Sequence, residues 1–502
     1  MTRRKKLMLN TASALCYQLV SLVCGFVLPK FVIPYFGSDA NGLLNSITQF
    51  LSVISLCEAG VGAVVQSSLY QPLAKRDWPQ VSRVMTSSRR FFGKVMKLLA
   101  VYAAVLMLAF PLALREKYDY DFGFLASLIL ILSVSYLAQY YLFVTHKLLL
   151  NADQMSFVQL TVHSGTLILN TLATVGLISL GASLHQVKLM SSLVFLLQPL
   201  VLKWYVERHY PVNTHMELTE EPIRQKWNGL AQHIASVVLL NTDTVVLTLC
   251  STLKNVSIYS VYHLVAHGCK QVIASCTTGT QAMLGNMYAQ QEHQRLNEAF
   301  SAYELLVHTL VTALFTLAGI LLLPFVRLYT RNFTDANYIA PAFGYLLILA
   351  QAVYCVRIPY YSMVHAAGHF RQTQCSAIVE AAVNLGLSVS LVFRFGLVGV
   401  AIGTLAAMCY RTGYLAWYLQ KQILHRRLGH FLKHLVVDIL GSAVMVLATG
   451  RFAMAHLDVR SWLWLAVRVS VVGLAVLAGV QWVFYRQEFA RTWTLLRGKH
   501  RK

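Results

Sequence analysis

The chain has 502 residues, of which 57% are apolar and 12% charged, against about 45–50% and about 25% in soluble domains. With a mean hydropathy of +0.56, a single soluble globule is excluded, as are disordered and collagen-like chains. The formal net charge of +22 clusters at the ends of apolar runs and not along one aromatic-spaced patch, so it does not read as a nucleic-acid surface; in a membrane protein such charges report orientation.

At roughly 20 residues per crossing, fourteen spans are expected. The first, 8–36, follows Arg3-Arg4-Lys5-Lys6 and reads as a retained helix, because no small-x-small cleavage site follows. It carries Lys30 between Pro29 and Pro34, where a break or kink is expected. Lys30 either snorkels to the outer interface or serves a polar interior. The second span, 42–69, carries Glu58 before Gly60-Val61-Gly62; a carboxylate there can titrate or pair with a cation. Spans 91–114, 123–149, 155–180 and 185–205 complete a first six-helix bundle, 1–205. The stretch 206–227, with Glu207, Pro211, Glu217, Glu220, Glu221 and Pro222, is the expected cytoplasmic linker.

The second bundle, 228–422, opens with span 228–251 and its Asn241-Thr242-Asp243. Span 256–283 places Tyr259, His263, His267 and Lys270 at spacings that put all four on one helix face, a stripe expected to line a cavity. Span 301–327 follows. Span 337–365 holds Arg357-Ile358-Pro359, an arginine beside a helix breaker whose planar fork suits carboxylate or phosphate. Span 373–394 carries Glu380 and Asn384, set either to pair with arginines of neighbouring helices or to touch substrate. Span 397–420 closes the bundle. Spans 431–455 and 461–485, with a basic tail, form a third region, 423–502. Basic segments alternate along this count so that both termini fall on the cytoplasmic side.

Motifs recur at an offset near 216. Leu69-Tyr70-Gln71-Pro72 finds its counterpart in Met287-Tyr288-Ala289-Gln290, Asn151-Ala152-Asp153-Gln154 in Ala367-Gly368-His369-Phe370, and Asn170 in Asn384. Six spans followed by six give parallel repeats, related by a pseudo-two-fold axis along the membrane normal, with a site expected in the cleft between the bundles. Internal basic groups and histidines outnumber carboxylates, which favours an anionic substrate. Lys270 is the expected main cation, flanked by His263 and His267 and paired with Asp243 when the cavity is empty. The nine cysteines lie in or beside apolar runs and read as packing residues. Neither the cysteines nor the histidines suggest a metal, and no cofactor is implied.

The fourteen-span plan, Glu58-Ala59-Gly60-Val61-Gly62, Leu69-Tyr70-Gln71-Pro72-Leu73, Asn241-Thr242-Asp243, Tyr259-Ser260-Val261-Tyr262 and Arg357-Ile358-Pro359 together resemble the bacterial polysaccharide flippases of the Wzx type, in the multidrug/oligosaccharidyl-lipid/polysaccharide exporter superfamily. The resemblance implies a non-enzymatic carrier in the bacterial inner membrane, for O-antigen, capsule or exopolysaccharide synthesis. Its substrate would be an oligosaccharide on undecaprenyl pyrophosphate, moved from the inner to the outer leaflet. It further implies a proton or sodium counter-ion, contact with membrane lipids, and polysaccharide polymerase and export machinery as partners. The substrate candidates are then Lys270, Arg357, His263, His267, Tyr259 and Lys30, and the ion-coupling candidates Glu58, Asp243, Asn241 and Glu380. A multidrug or cation antiporter, a membrane enzyme of polysaccharide assembly, and a scaffold without transport are the alternatives.

The topology is testable by single-cysteine labelling in a cysteine-free background. Position 217 should react only from the cytoplasmic side and positions within 328–336 only from outside. External labelling at 217 would overturn the fourteen-span plan.

Overall fold

The computed structural model describes residues 3–52, 56–114, 118, 120–138, 143–213, 216, 242–277 and 280–498. It is an all-α polytopic membrane protein. The helices in chain order are α1 (Arg3–Phe36), α2 (Ser38–Ser52), α3 (Leu56–Lys75), α4 (Trp78–Leu114), α5 (Phe122–Ala138), α6 (Val144–Ala152), α7 (Ser156–Ser179) and α8 (Leu184–His209). They continue as α9 (242–250), α10 (Leu253–Thr277), α11 (Thr280–Ala289), α12 (His293–Tyr329), α13 (Pro341–Val356), α14 (Ile358–Ala366), α15 (Phe370–Phe395), α16 (Leu397–Gln422), α17 (Gly429–Thr449) and α18 (Val459–Gly498). Among the described residues, nine helical stretches are long and apolar enough to cross a membrane. Leucine, valine and tryptophan side chains such as Leu108, Leu172, Leu447 and Trp464 lie outward-facing and exposed, as lipid contact requires. The α10 and α16 helices are of similar length and carry charged groups within the span, Lys270 and Arg411, as α12, α15 and α17 also do with Glu304, Glu380 and Asp438.

The helix α1 runs unbroken through Pro29 and Pro34 to Phe36, so of the expected break or kink the break is absent. Each proline removes one N–H donor, and the ladder on either side of it carries the helix on. At about 1.5 Å per residue, its 34 residues exceed a hydrocarbon core of about 30 Å.

The contacts divide the chain into two units, Met1–Ser257 and Ile258–Lys502. The first unit packs α1 on α7, α7 on α8, and α4 on α5 around Leu43, Ile47, Phe92, Leu128, Ile129 and Leu149. One end of α1 is pinned by Lys6, whose ammonium donates to the Asp153 carbonyl at 2.7 Å and carboxylate at 3.0 Å. Tyr210, just past α8, donates to the other Asp153 oxygen at 2.7 Å. Burial first, and then the Asp153 carboxylate, pushes the Tyr210 phenol well above its ordinary range, so it stays a donor. Three segments distant in sequence are thereby gathered at one end of this unit.

The two units share helix lengths and turn closures. The α4 and α12 helices are both 37 residues long and start 215 residues apart. The turns before them close alike. Arg76 and Gln291 take φ of 56° and 58°, and the Asp77 and Glu292 amides reach back to the Pro72 and Met287 carbonyls at 2.9 and 3.1 Å. Gln154 and Gly368, at φ 59° and 76°, close a second matching pair, with Met155 and His369 donating to Leu150 and Val364. Both are left-handed helix caps with a six-residue hydrogen-bonded closure.

In the second unit, α15 and α16 approach through Gly399 and Gly403. A methyl group on Gly403 would lie 2.4 Å from Ser388 Oγ and 2.7 Å from its backbone nitrogen. The helices α17 and α18 join α12 through Ala313, Met445 and Leu477. Gly403→Ala should destabilise by about 1–3 kcal/mol through overpacking. Gly386→Ala, where a Cβ meets nothing within 4 Å, should be neutral or stabilising by up to about 1 kcal/mol. Thermal unfolding in detergent or nanodiscs compares the two.

Candidate functional site

The second unit builds its polar interior where α13 gives way to α14. Pro359 sits in the first turn of α14, with no N–H to donate and a ring that clashes with the preceding turn, so the helix restarts at Arg357. The Arg357 side chain is buried. Its Nη1 donates to Glu380 Oε1 at 2.5 Å, joining the α13–α14 junction to α15. Arg411 of α16 approaches the other oxygen, with Nε 3.7 Å from Glu380 Oε2. Its Nη1 also donates to the Thr373 carbonyl at 2.8 Å and to Ser376 Oγ. Glu380 is thus shared by two guanidinium groups in a buried setting.

The Tyr354 ring extends this cluster. Its centroid is 4.5 Å from Arg357 Cζ and 3.8 Å from Lys270 Nζ, both cation–π distances. Lys270 is half-buried, and among the described residues no carboxylate reaches it. Three cations therefore gather around one carboxylate and one aromatic face. The stripe on α10 leads to Lys270. Tyr259 stacks on His263 at 5.4 Å and 16°, and His263 on His267 at 5.6 Å and 26°. Gln271 Nε2 lies 3.3 Å from His267 Nε2. Tyr259 is buried, whereas His267 is exposed.

The first unit shows what these positions look like without charge. Thr166 and Gln198 stand on α7 and α8 where Glu380 and Arg411 stand on α15 and α16, and Gln198 Nε2 donates to Thr166 Oγ1 at 2.6 Å. Asn170 and Asn384 also correspond; both are buried, and the Oδ1 atom of each has no hydrogen-bond partner. A neutral hydrogen bond thus fills the corresponding place in one unit, and an ionic cluster fills it in the other.

The remaining expected residues fall elsewhere. Lys30 is exposed near the end of α1. Asp243 is buried on α9 beside Thr242, in the first unit. Glu58 belongs to α3, but its side chain lies outside the described residues, as does Asn241 altogether. The polar interior also includes Arg411, Glu304, His308, Arg426 and Asp438, which no sequence motif marks. For Arg411 and Asp438 the one signal is a charge inside an apolar run, and Arg426 in the connection before α17 has none.

No protein-family model matches the chain, and no curated protein matches its sequence. Solved structures do share its fold. "Lipid II flippase MurJ, inward closed conformation" aligns with a TM-score of 0.73 at 14% identity, covering 96% of this chain and 99% of that one. An inward-facing multidrug resistance MATE family transporter of the MOP superfamily aligns at 0.59 and 15% identity, covering 81% and 96%. The outward-facing conformation of a MATE family transporter aligns at 0.56 and 13%, covering 83% and 95%. At these identities the likeness is one of fold.

Glu380→Gln should cost about 3–5 kcal/mol, because it leaves two buried guanidinium groups without a counter-charge. Combining Glu380→Thr with Arg411→Gln copies the neutral arrangement of the first unit and should recover much of that loss. Unfolding curves of the single and double variants check this.

Proposed function

We propose that the protein is a membrane transporter that flips an oligosaccharide linked to undecaprenyl pyrophosphate from the inner to the outer leaflet by alternating access, in the assembly of a cell-surface polysaccharide. The observation that carries the reading is the excess of positive charge in the second unit, where Arg357 and Arg411 share Glu380 and Lys270 lies over the Tyr354 ring with, among the described residues, no carboxylate of its own. A buried cation without its own counter-charge is costly, and an anionic ligand that enters the cluster relieves that cost. A pyrophosphate offers several oxygens to one ammonium and two forked guanidinium groups.

The division of labour follows from solvation. The sugar and pyrophosphate cannot enter hydrocarbon without replacements for their water. Lys270 supplies charge, Arg357 and Arg411 supply directional donors, and the Tyr259–His263–His267 face supplies ring edges and imidazole donors along the approach. The polyprenyl tail has no such need and stays in lipid. The reading gains support from a shared fold with a protein titled a lipid II flippase. The bacterial inner membrane, cytoplasmic termini, a proton or sodium counter-ion acting at Glu58, Asn241 or Asp243, and a polysaccharide polymerase with its export machinery as partners belong to the same proposal.

A second reading, a multidrug or cation antiporter, draws on the shared fold with MATE transporters and on the aromatic rings of the cluster, which attract cations. Against it, the Tyr354 ring already carries Lys270 and Arg357.

Proteoliposomes loaded with a fluorescent lipid-pyrophosphate oligosaccharide separate the two. Exposure of the sugar in the opposite leaflet should depend on the protein. Lys270→Met should slow it about tenfold or more, the equivalent of one charge-assisted bond of roughly 1.5–3 kcal/mol. Arg357→Lys should also slow it, since charge remains but the fork is lost. Full activity in Lys270→Met, or transport of a cationic dye in preference to the lipid, would refute the proposal.

A further inference from the structure

A second polar cluster in this unit shares no residue with the cluster assigned to substrate. Glu304 and His308 are one turn apart on α12, where α14, α17 and α18 meet them. His308 Nδ1 is 2.5 Å from Asp438 Oδ2 on α17. Its Nε2 is 3.1 Å from the Tyr360 hydroxyl on α14. That hydroxyl lies 2.6 Å from Glu304 Oε1. The outer oxygens of the two carboxylates are held separately. Thr312 donates to Asp438 Oδ1 at 2.8 Å, and Arg426, from the segment before α17, holds Glu304 Oε2.

The other titratable groups facing this chain are few. His434 of α17 stacks on His308 at 4.9 Å, with Nε2 3.9 Å from Glu304 Oε2. Its Nδ1 is 2.6 Å from the Tyr485 hydroxyl of α18. Lys433 lies over the Tyr485 ring at 4.4 Å. Glu304, His308 and Tyr360 are essentially inaccessible, at 0%, 1% and 0%.

A proton count shows what this geometry requires. Asp438, His308, Tyr360 and Glu304 are joined by three successive hydrogen bonds, and each bond needs one proton. A neutral imidazole brings one and a phenol brings one, while ionised carboxylates bring none. The three bonds therefore hold one proton more than the neutral ring, the phenol and two carboxylates supply. With that proton, the two carboxylate charges are balanced by Arg426 and the proton itself. Without it, a buried net negative charge remains, and one link sets two lone pairs face to face. Both outcomes are expensive in an apolar setting.

We propose that the Asp438–His308–Tyr360–Glu304 chain is a binding site for one exchangeable proton, and that its loading and release couple a proton gradient to the docking of α17 and α18 on α12 and α14. When loaded, the chain ties α17 to α12 and α12 to α14. On release, one link opens and the docking loosens. His434 and Tyr485 carry that change to α18. The site shares no residue with the substrate cluster or with Glu58, Asn241, Asp243 and Glu380. Its coupling role rests on the transporter reading above, whereas proton binding does not.

The test uses the full chain in nanodiscs, freed of native cysteines and spin-labelled at Leu306 and Val436, both exposed, on α12 and α17. Between acidic and alkaline pH, the interlabel distance should shift in a single transition. Asp438→Asn and Glu304→Gln each supply an amide N–H where the extra proton would sit, so both should hold the acidic-state distance at every pH. A pH-independent distance in the parent, or amide variants that titrate like the parent, would overturn the proton site. In proteoliposomes, a pH gradient should accelerate lipid-linked oligosaccharide movement in the parent and lose its effect in both amide variants. A gradient response retained by the amides overturns the coupling. Absence of any such movement in the parent refutes the substrate reading, and the distance measurement still decides the proton site.

Discussion

A charge within hydrocarbon must have a partner, and in the second unit Glu380 serves two guanidinium groups. Its two oxygens face Arg357 and Arg411, so the α13–α14 junction, α15 and α16 converge on one carboxylate. The arrangement fixes more than packing. Arg357 is held where the helix restarts at Pro359, and the Tyr354 ring beside it then meets Lys270. The location of the surplus positive charge follows from that shared carboxylate.

The duplicated scaffold gives an internal control. The two units cap their helices alike, down to the left-handed Arg76 and Gln291. They differ where chemistry is proposed. The Gln198–Thr166 hydrogen bond shows that this position can join two helices without charge. The ionic version at Arg411 and Glu380 costs more desolvation for the same mechanical task, which points to a role beyond holding helices together. The Glu304–His308–Asp438 chain departs from the repeat in the same way, since it depends on α17 and α18, which extend past the duplicated helices.

Much of the fold is legible from the amino acids, because lipid allows few answers for an apolar run of about 20 residues. The all-helical class and the α10 stripe follow from run length and helical spacing. The repeat follows from its turn motifs, whose register in the sequence is two or three residues off, since the turns pair Pro72 with Met287 and Gln154 with Gly368. The fate of α1 at Pro29 and Pro34 was not legible, since a proline weakens a helix locally but neighbouring turns decide whether it breaks. The pairings were not legible either. Arg411 meets a carboxylate 31 positions away, and Asp438 meets a histidine 130 positions away. A single charge in an apolar run has no periodicity, and nothing in its own helix names its partner. Glu380 was a visible candidate, whereas the second arginine on it needed the packing of α15 against α16.

The 37-residue helices α4 and α12 have a mechanical consequence. Each is about 55 Å long at the helical rise, so about 25 Å of each extends past a hydrocarbon core of about 30 Å. A continuous helix is a stiff rod, and a stiff rod pivoting within the bilayer is a lever. A tilt of about 10° in the membrane sweeps its free end through about 4 Å, given that projecting length. Small rearrangements deep within either unit are thereby magnified into displacements at the aqueous end, where a soluble partner or an antibody fragment can sense or arrest them.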